Sequence, residues 1–216
     1  MQPISSAGWI LLLLYQLIFF TLYEMTWHRK GSNRVLASVF KSAVTFSDLV
    51  LACVLSIRQP TAGHLLICLG LIAGTVADYV LNFRFILGMA IFGTGHILYC
   101  LSFLSQSAVK SVNILVTLGL LALIGLIIIL FRHRLQKLDP KQSAVPFVAY
   151  AFISCVLVGL ACTQPPMIQI GCILFVASDV LLALRFVMHI PNKSYECFSL
   201  FVYYAAQLLI ALGAAL

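Results

Sequence analysis

Charged residues are scarce in this chain. Only 9% of its 216 residues are charged, only six are acidic, and 62% are hydrophobic. Soluble domains carry about 25% charged residues, so this deficit along the whole length excludes that class and predicts a polytopic membrane protein. A cleavable signal peptide is also missing, because no Lys or Arg precedes the first apolar run and no small-residue cleavage motif follows it. We therefore expect the first apolar run to remain as a helix.

Long polar segments are absent as well, which excludes a separate soluble domain. Eight apolar windows are long enough to cross a bilayer as helices, which takes about 20 residues. They cover residues 8–27, 34–56, 62–82, 86–104, 111–131, 145–162, 167–184 and 197–216. Strands of an outer-membrane barrel run for about 10 residues and alternate in polarity, so the windows are too long for that fold. The sequence predicts an all-α fold, an eight-transmembrane-helix bundle that forms one integral membrane domain over residues 1–216.

The positive charge of the chain, +7 in total, is distributed on one side. Arg58 and Lys110 lie in connections on the opposite side, and Lys41 lies inside the second window. The other ten basic residues share one side: Arg29, Lys30, Arg34, Arg84, Arg132, Arg134, Lys137, Lys141, Arg185 and Lys193. By the positive-inside rule this side is cytoplasmic, so the charge reports topology and we expect no nucleic-acid partner. The compact chain favours the inner membrane of a bacterium, with both termini periplasmic; in a eukaryote we expect the endoplasmic reticulum.

Two ten-residue segments resemble each other. VADYVLNFRF, residues 76–85, and ASDVLLALRF, residues 177–186, each place an Asp in an apolar run, with Arg-Phe beginning six residues later. The segments fall in the third and seventh windows, and this even separation gives both the same orientation in the membrane. The pattern is typical of a 4+4 parallel internal repeat, with halves of about residues 1–106 and 107–216. The alternative is a chance match between two Leu-rich helix ends.

Three of the six acids lie inside predicted helices: Asp48, Asp78 and Asp179. A carboxylate at membrane depth costs at least about 2.5–3.5 kcal/mol on insertion scales, and such residues usually face the bundle interior and mark function. The matched settings of Asp78 and Asp179 favour a functional role for this pair. Asp48 has two interpretations, a functional carboxylate or a structural one held by a polar partner. Lys41 lies seven residues before it, on the same helix face.

Motifs for a nucleophile, a zinc pair or a phosphate-binding loop are absent. None of the seven cysteines forms a C-x-x-C pair, and we interpret them as packing residues. Asp78, His96 and Asp179 offer ligands for a metal ion, but their spacing is not diagnostic, and we expect no metal or other cofactor. Two carboxyl groups in an apolar cavity favour acid–base chemistry, because one can keep its proton while its partner remains charged.

Four segments together resemble a known family. Ala77-Asp78-Tyr79-Val80-Leu81 is similar to its G-D-x-x-L motif, and FGTGHILY, residues 92–99, is similar to its F-x-x-x-H-x-x-Y motif. LFVASDVLLA, residues 174–183, and YYAAQLLIAL, residues 203–212, resemble its F-x-x-S-D and Y-Y-x-A-Q-x-L-I motifs. On these segments the chain resembles the YhhN-like family of lysoplasmalogenases. It departs from the family at Ser42, where a Pro often follows the Lys, and at Ala77, which replaces a Gly.

The resemblance implies hydrolysis of the vinyl ether bond of lysoplasmalogens, with a fatty aldehyde and glycerophosphoethanolamine or glycerophosphocholine as products. Our hypothesis is that Asp78 and Asp179 provide the acid–base catalysis of this reaction. The polar residues concentrated in the cytoplasmic half of the bundle indicate a pocket there. Lys41 or Arg84 would hold the phosphate, while other polar groups orient water or the glycerol hydroxyl. The full set of candidate substrate-binding residues is Lys41, Asn82, Arg84, His96, Tyr99, Ser178, Tyr203, Tyr204 and Gln207. The alternative function is a proton-coupled transporter of a small or lipid-like substrate. The lipid bilayer is the expected environment, and the oligomeric state is open.

Overall fold

The computed structural model describes residues 5–57, 60–135, 145–188 and 192–213, with residues 131–135 and 186–188 described by their backbone alone. All regular secondary structure in these ranges is helical. The eight helices are α1 (Ser6–Trp27), α2 (Arg34–Ser56), α3 (Ala62–Leu81), α4 (Phe85–Gln106), α5 (Ser111–Leu135), α6 (Val145–Ala161), α7 (Pro166–Met188) and α8 (Lys193–Gly213). The predicted class, an all-α polytopic fold, is confirmed. Of the residues used in the sequence patterns, Arg58, Lys137 and Lys141 lie outside the described ranges, as do the side chains of Arg132, Arg134 and Phe186.

Seven of these helices have the length and hydropathy of membrane spans, namely α1 to α5, α7 and α8. The remaining helix, α6, is apolar and is described over 17 residues. That length is at the lower end of the range of about 17–25 residues that crosses a bilayer. The described chain is therefore a multi-pass membrane protein with seven clear candidate spans and one shorter apolar helix.

Local sequence signals explain where several helices begin. The side-chain oxygens of Ser5, Asn33 and Thr61 each accept a hydrogen bond at 3.1 Å from the backbone N–H three residues later. These contacts are N-caps, which satisfy N–H groups that have no partner inside the helix. The turn between α3 and α4 instead depends on Gly88, where a Cβ atom would lie 2.6 Å from Leu81 Cα. The missing side chain lets α4 lie directly against the end of α3.

The helices pack in sequence order within each half of the chain. α1 packs on α2, α2 on α3 and α3 on α4; in the same way α5 packs on α6, α6 on α7 and α7 on α8. The halves meet where α4 contacts α6 and where α8 contacts α2 and α3. The core between them is formed by buried side chains from several helices, among them Leu71, Phe103, Leu157, Phe175 and Ile210. α1 and α5 lie at the periphery, where few of their described residues are buried.

Candidate functional site

Asp78 lies near the end of α3 with its side chain wholly buried. Its Oδ2 accepts hydrogen bonds from Thr45 Oγ1 at 2.6 Å and from Tyr203 Oη at 2.9 Å. Lys41 Nζ lies 3.4 Å from Asp78 Oδ1, a contact that pairs the charges without hydrogen-bond geometry. Because Lys41 is itself only 6% exposed, the two charges compensate each other where water does not reach.

This hydrogen-bonded group, which we call the Asp78 group, continues through α8 to α4. Gln207 Nε2 donates to Tyr203 Oη at 3.1 Å, and Gln207 Oε1 accepts from Tyr99 Oη at 3.0 Å. Tyr204 donates to the backbone carbonyl of Lys41 at 3.1 Å. Three tyrosine hydroxyls and one amide therefore surround a single ion pair, in a connected network of buried polar groups.

Helix spacing and one glycine make this arrangement possible. Lys41 and Thr45 on α2, like Tyr203 and Gln207 on α8, are four residues apart and therefore share a helix face. Gly74 lies one turn before the carboxylate on α3, and a Cβ atom there would approach Gln207 Nε2 to 2.8 Å. The absence of a side chain at this position leaves space for the amide that orients Tyr203.

Asp179 belongs to a second group, the Asp179 group, built from α4, α6 and α7. Asp179 is partly buried, and its Oδ2 accepts a hydrogen bond from Tyr150 Oη at 2.9 Å. The rings of Tyr150 and His96 pack with their centroids 5.1 Å apart. His96 Nδ1 lies 3.4 Å from Ser154 Oγ, one turn beyond Tyr150 on α6. Unlike Asp78, Asp179 has no ion pair with a described residue, so its hydrogen bond comes from a neutral group.

Aromatic rings lie where the two groups approach each other. The Phe175 ring packs edge-on against His96 at 4.6 Å and against Tyr203 at 5.3 Å, measured between centroids. Phe92 packs against the same Phe175 ring at 6.1 Å and against Tyr203 at 5.6 Å. Within the described residues no hydrogen bond joins the two groups. Asp78 and Asp179 therefore occupy separate polar environments that share one aromatic cluster, formed by Phe92, Phe175 and Tyr203.

Most of the candidate residues join one of the two groups. Five lie in the Asp78 group, namely Lys41, Tyr99, Tyr203, Tyr204 and Gln207, and His96 lies in the Asp179 group. Three lie elsewhere: Asn82 donates to Ser38 Oγ at 2.9 Å, Ser178 donates to the Phe175 carbonyl at 2.9 Å, and Arg84 is exposed at the N-cap of α4. The last three are therefore placed outside the hydrogen-bonded groups.

Sequence reasoning missed three members of the groups: Thr45, Tyr150 and Ser154. Each of them had a signal in the sequence. Thr45 follows Lys41 by one helical turn, and Tyr150 and Ser154 are one turn apart in an otherwise apolar helix, so they share a face. Polar side chains repeated at helical spacing inside a membrane span face the bundle and not the lipid. Applied to all hydroxyl groups and not only to acids, the same argument identifies these three.

Asp48 has its own partner, and Lys41 is not that partner. Gln16 of α1 donates from Nε2 to Asp48 Oδ1 at 2.7 Å and to Ser47 Oγ at 3.1 Å. Asp48 is wholly buried. This geometry supports the structural interpretation of Asp48 as a residue that ties α1 to α2.

A metal ion would need ligands that converge. Asp78 is engaged by Lys41, Thr45 and Tyr203, while His96 and Asp179 lie in the other group. Across the part of the chain that the structure describes, no three His, Cys, Asp or Glu side chains are placed to hold a metal ion.

Comparison with known proteins finds a relative with a named activity. The chain is 31% identical over 170 residues to the protein named lysoplasmalogenase TMEM86B of Homo sapiens, a match that covers 77% of this chain and 71% of the relative. No solved structure matches. The model of the YhhN family matches residues 36–214, a range that holds every hydrogen-bonding residue of the Asp78 and Asp179 groups, and the chain therefore belongs to the YhhN family.

Proposed function

We propose that this chain is a membrane hydrolase that cleaves the vinyl ether bond of lysoplasmalogens. The products are a fatty aldehyde and glycerophosphoethanolamine or glycerophosphocholine. The observation that carries the proposal is the wholly buried Asp78, held by two hydroxyl donors and a buried Lys41, beside an aromatic cluster that also borders the Asp179 group. The name of the human relative supports the substrate class.

The reaction needs an acid first and water second. Protonation of the β-carbon of the vinyl ether leaves an oxocarbenium ion, water adds to it, and the resulting hemiacetal collapses. One of the two carboxyl groups, Asp78 or Asp179, donates the proton to carbon. The other stabilises the cation and activates water. General acid–base catalysis of this kind contributes about 10²–10⁴-fold to a rate, and fixed charges in a site without water add to it.

The aromatic cluster is suited to the charge that develops. An oxocarbenium ion is a cation, and the faces of aromatic rings attract cations. Phe92, Phe175 and Tyr203 pack against one another where the two groups approach each other. The alkenyl chain of the substrate is apolar, so it is compatible with the same rings and with the apolar helices around them.

The polar groups of the substrate need partners near the cytoplasmic ends of the helices. Lys41 is engaged with Asp78, so we assign the phosphate to Arg84, which is exposed. A planar guanidinium binds phosphate through paired hydrogen bonds. Tyr99, Tyr204 and Gln207 keep the Asp78 group in place, and His96 is left to orient water or the glycerol hydroxyl.

We propose eight spans with both termini periplasmic in a bacterial inner membrane, or the endoplasmic reticulum in a eukaryote. The packing order supports a 4+4 repeat. In such a repeat each helix corresponds to the helix four positions away in the chain, so the α4–α6 contact corresponds to the α8–α2 contact. By the same correspondence α3 matches α7, and Asp78 matches Asp179. If α6 is counted as a span, all ten basic residues assigned to one side of the membrane lie on its cytoplasmic side.

The test is aldehyde release by the purified protein in detergent, with lysoplasmenyl-ethanolamine as substrate. Detergent removes any transmembrane gradient, so the assay separates a hydrolase from a proton-coupled transporter. We expect Asp78→Asn and Asp179→Asn to abolish hydrolysis while the protein remains folded, as judged by helical circular dichroism. The conservative control is Asp48→Asn, which changes a third buried carboxyl group outside both groups and should retain activity. Full activity of either Asp78→Asn or Asp179→Asn contradicts the proposed roles.

A further inference from the structure

His96 presents a polar atom that the packing does not use. The side chain is 1% exposed, and its Nε2 has no hydrogen-bond partner among the residues that the structure describes. Buried polar atoms in proteins nearly always have a partner, either protein or water. By contrast, the hydroxyl and amide groups of Tyr99, Tyr203 and Gln207 are joined to one another. His96 therefore retains a buried hydrogen-bonding atom for a ligand.

The contact of Ser154 determines which His96 nitrogen is free to accept. Ser154 Oγ lies 3.0 Å from the Tyr150 carbonyl oxygen and 3.4 Å from His96 Nδ1. A hydroxyl has one proton to donate, and a carbonyl can only accept. The shorter contact takes the Ser154 proton, so the Ser154 oxygen accepts from Nδ1–H of the imidazole. Nε2 of this tautomer carries a lone pair and accepts a hydrogen bond from an O–H group.

The surroundings of Nε2 favour water as that O–H group. Tyr150 packs against the His96 ring and donates its own proton to Asp179 Oδ2. Its oxygen therefore keeps lone pairs, and Asp179 Oδ1 has no hydrogen bond to a described residue. A buried water molecule usually needs about two to four polar partners. His96 Nε2 is one such partner, and the Tyr150 hydroxyl and the Asp179 carboxyl group are the members of the same group that we assign as the others.

We propose that His96, and not the second carboxyl group, activates water: His96 holds the water molecule that attacks the oxocarbenium ion and accepts its proton at Nε2, while the second carboxyl group stabilises the cation. This assignment rests on the proposed function. Tyr150 and Ser154 are positioning residues: Tyr150 orients Asp179, and Ser154 keeps the proton of His96 on Nδ1. The Asp179 group is then the part of the site that delivers water.

The proton balance of the step is closed. The water oxygen forms the new C–O bond with its lone pair, and one water proton passes to His96 Nε2. When the hemiacetal collapses, the bond between carbon and the glycerol oxygen breaks, and the imidazolium returns its proton to that oxygen. The hemiacetal hydroxyl proton goes to the carboxylate that first protonated the carbon, so both side chains end in their starting forms. The sum is vinyl ether plus water giving aldehyde plus alcohol.

Competition between water and methanol tests this role. Methanol that traps the oxocarbenium ion gives a stable mixed methyl acetal, whereas water gives aldehyde, so mass spectrometry of the products measures which nucleophile reaches the cation. We expect wild-type protein in detergent with added methanol to form mainly aldehyde. His96→Gln should lower kcat about 100-fold, the size of a general-base contribution, and raise the ratio of methyl acetal to aldehyde. Ser154→Ala should raise the same ratio by a smaller factor, because Nδ1 loses the partner that fixes the tautomer.

Thr94→Ala is the matched control. Thr94 lies on the same helix, two residues from His96, is exposed, and bonds only within α4, so its product ratio should equal that of wild type. The role of His96 is overturned if His96→Gln and Ser154→Ala both form aldehyde and both keep the wild-type ratio of methyl acetal to aldehyde. Absence of aldehyde from the wild-type protein is a different result, since it overturns the proposed function itself.

Discussion

The buried pair of Lys41 and Asp78 predicts a specific pattern of stabilities. The side chains are 8% and 0% exposed, respectively, and Nζ lies 3.4 Å from Oδ1. Removing one member of a buried ion pair costs about 3–5 kcal/mol, because the other charge is left without compensation. We expect Lys41→Met to lower the free energy of unfolding by this amount. Asp78→Asn should cost less, because the long side chain of Lys41 can extend toward the membrane surface, whereas the carboxylate of Asp78 cannot leave the core.

The double variant Lys41→Met/Asp78→Asn is the decisive sample. It buries no unpaired charge, so its stability should be close to that of Asp78→Asn and well above that of Lys41→Met. The assay is unfolding of the purified protein in mixed micelles with increasing SDS, followed by helical circular dichroism. Lys110→Met is the control, since Lys110 is exposed and forms no ion pair with a described residue; its effect should stay within about 0.5 kcal/mol.

Two results would refute this reasoning. One is a Lys41→Met protein as stable as wild type. The other is a double variant whose loss equals the sum of the two single losses, because additivity means that the two side chains do not interact. Either result would show that Lys41 does not hold Asp78 in place. Lys41 would then again be a candidate for binding the substrate phosphate.

Two further predictions concern the Asp179 group and the helix packing. Tyr150→Phe keeps the ring but removes the hydrogen bond to Asp179; a hydrogen bond is typically worth about 0.5–1.5 kcal/mol, so aldehyde release should fall about 2- to 10-fold. An unchanged rate contradicts the positioning role. Gly70→Ala forces a methyl group into the Tyr99 ring and should cost about 1–3 kcal/mol. In Gly119→Ala the new methyl group meets nothing within 4 Å, so the variant should be neutral or stabilised by about 0.5–1 kcal/mol. If Gly70→Ala and Gly119→Ala change the SDS unfolding midpoint equally, the close packing of Tyr99 against Gly70 is contradicted.

Hydropathy predicted the helices closely where both ends of a span are marked by polar residues. The window 34–56 coincides with α2, Arg34–Ser56, and 62–82 differs from α3, Ala62–Leu81, by one residue. The last window was wrong at its start, because α8 begins at Lys193 and not at residue 197. Asn192 accepts a hydrogen bond from the Ser194 N–H at 2.9 Å, so a polar first turn belongs to the helix. An apolar window cannot include such a turn.

The members of the candidate site were predicted in part, for a physical reason. Asp78, Tyr203 and Gln207 were found because polar side chains inside apolar spans are costly and therefore few. The partner of Lys41 was not found, since its spacing along α2 suggested Asp48, while the observed partner is Asp78 on the neighbouring helix. Spacing reports neighbours on one helix, whereas this pair depends on how α2 and α3 are rotated against each other.

The composition of the chain alone determined that it is a multi-pass helical membrane protein, because backbone groups in lipid must form their hydrogen bonds within helices. Its sequence also identified the two aspartates and the family resemblance. Only the tertiary structure decided that Asp78 carries a charged partner, that Asp179 is held by Tyr150, and that His96 keeps a free nitrogen. The contacts of Asp78 with Lys41 and of Asp179 with Tyr150 each join two helices, and their residues lie at least 29 positions apart in the chain. Side-chain packing between helices selects these contacts, and no local sequence pattern specifies that packing.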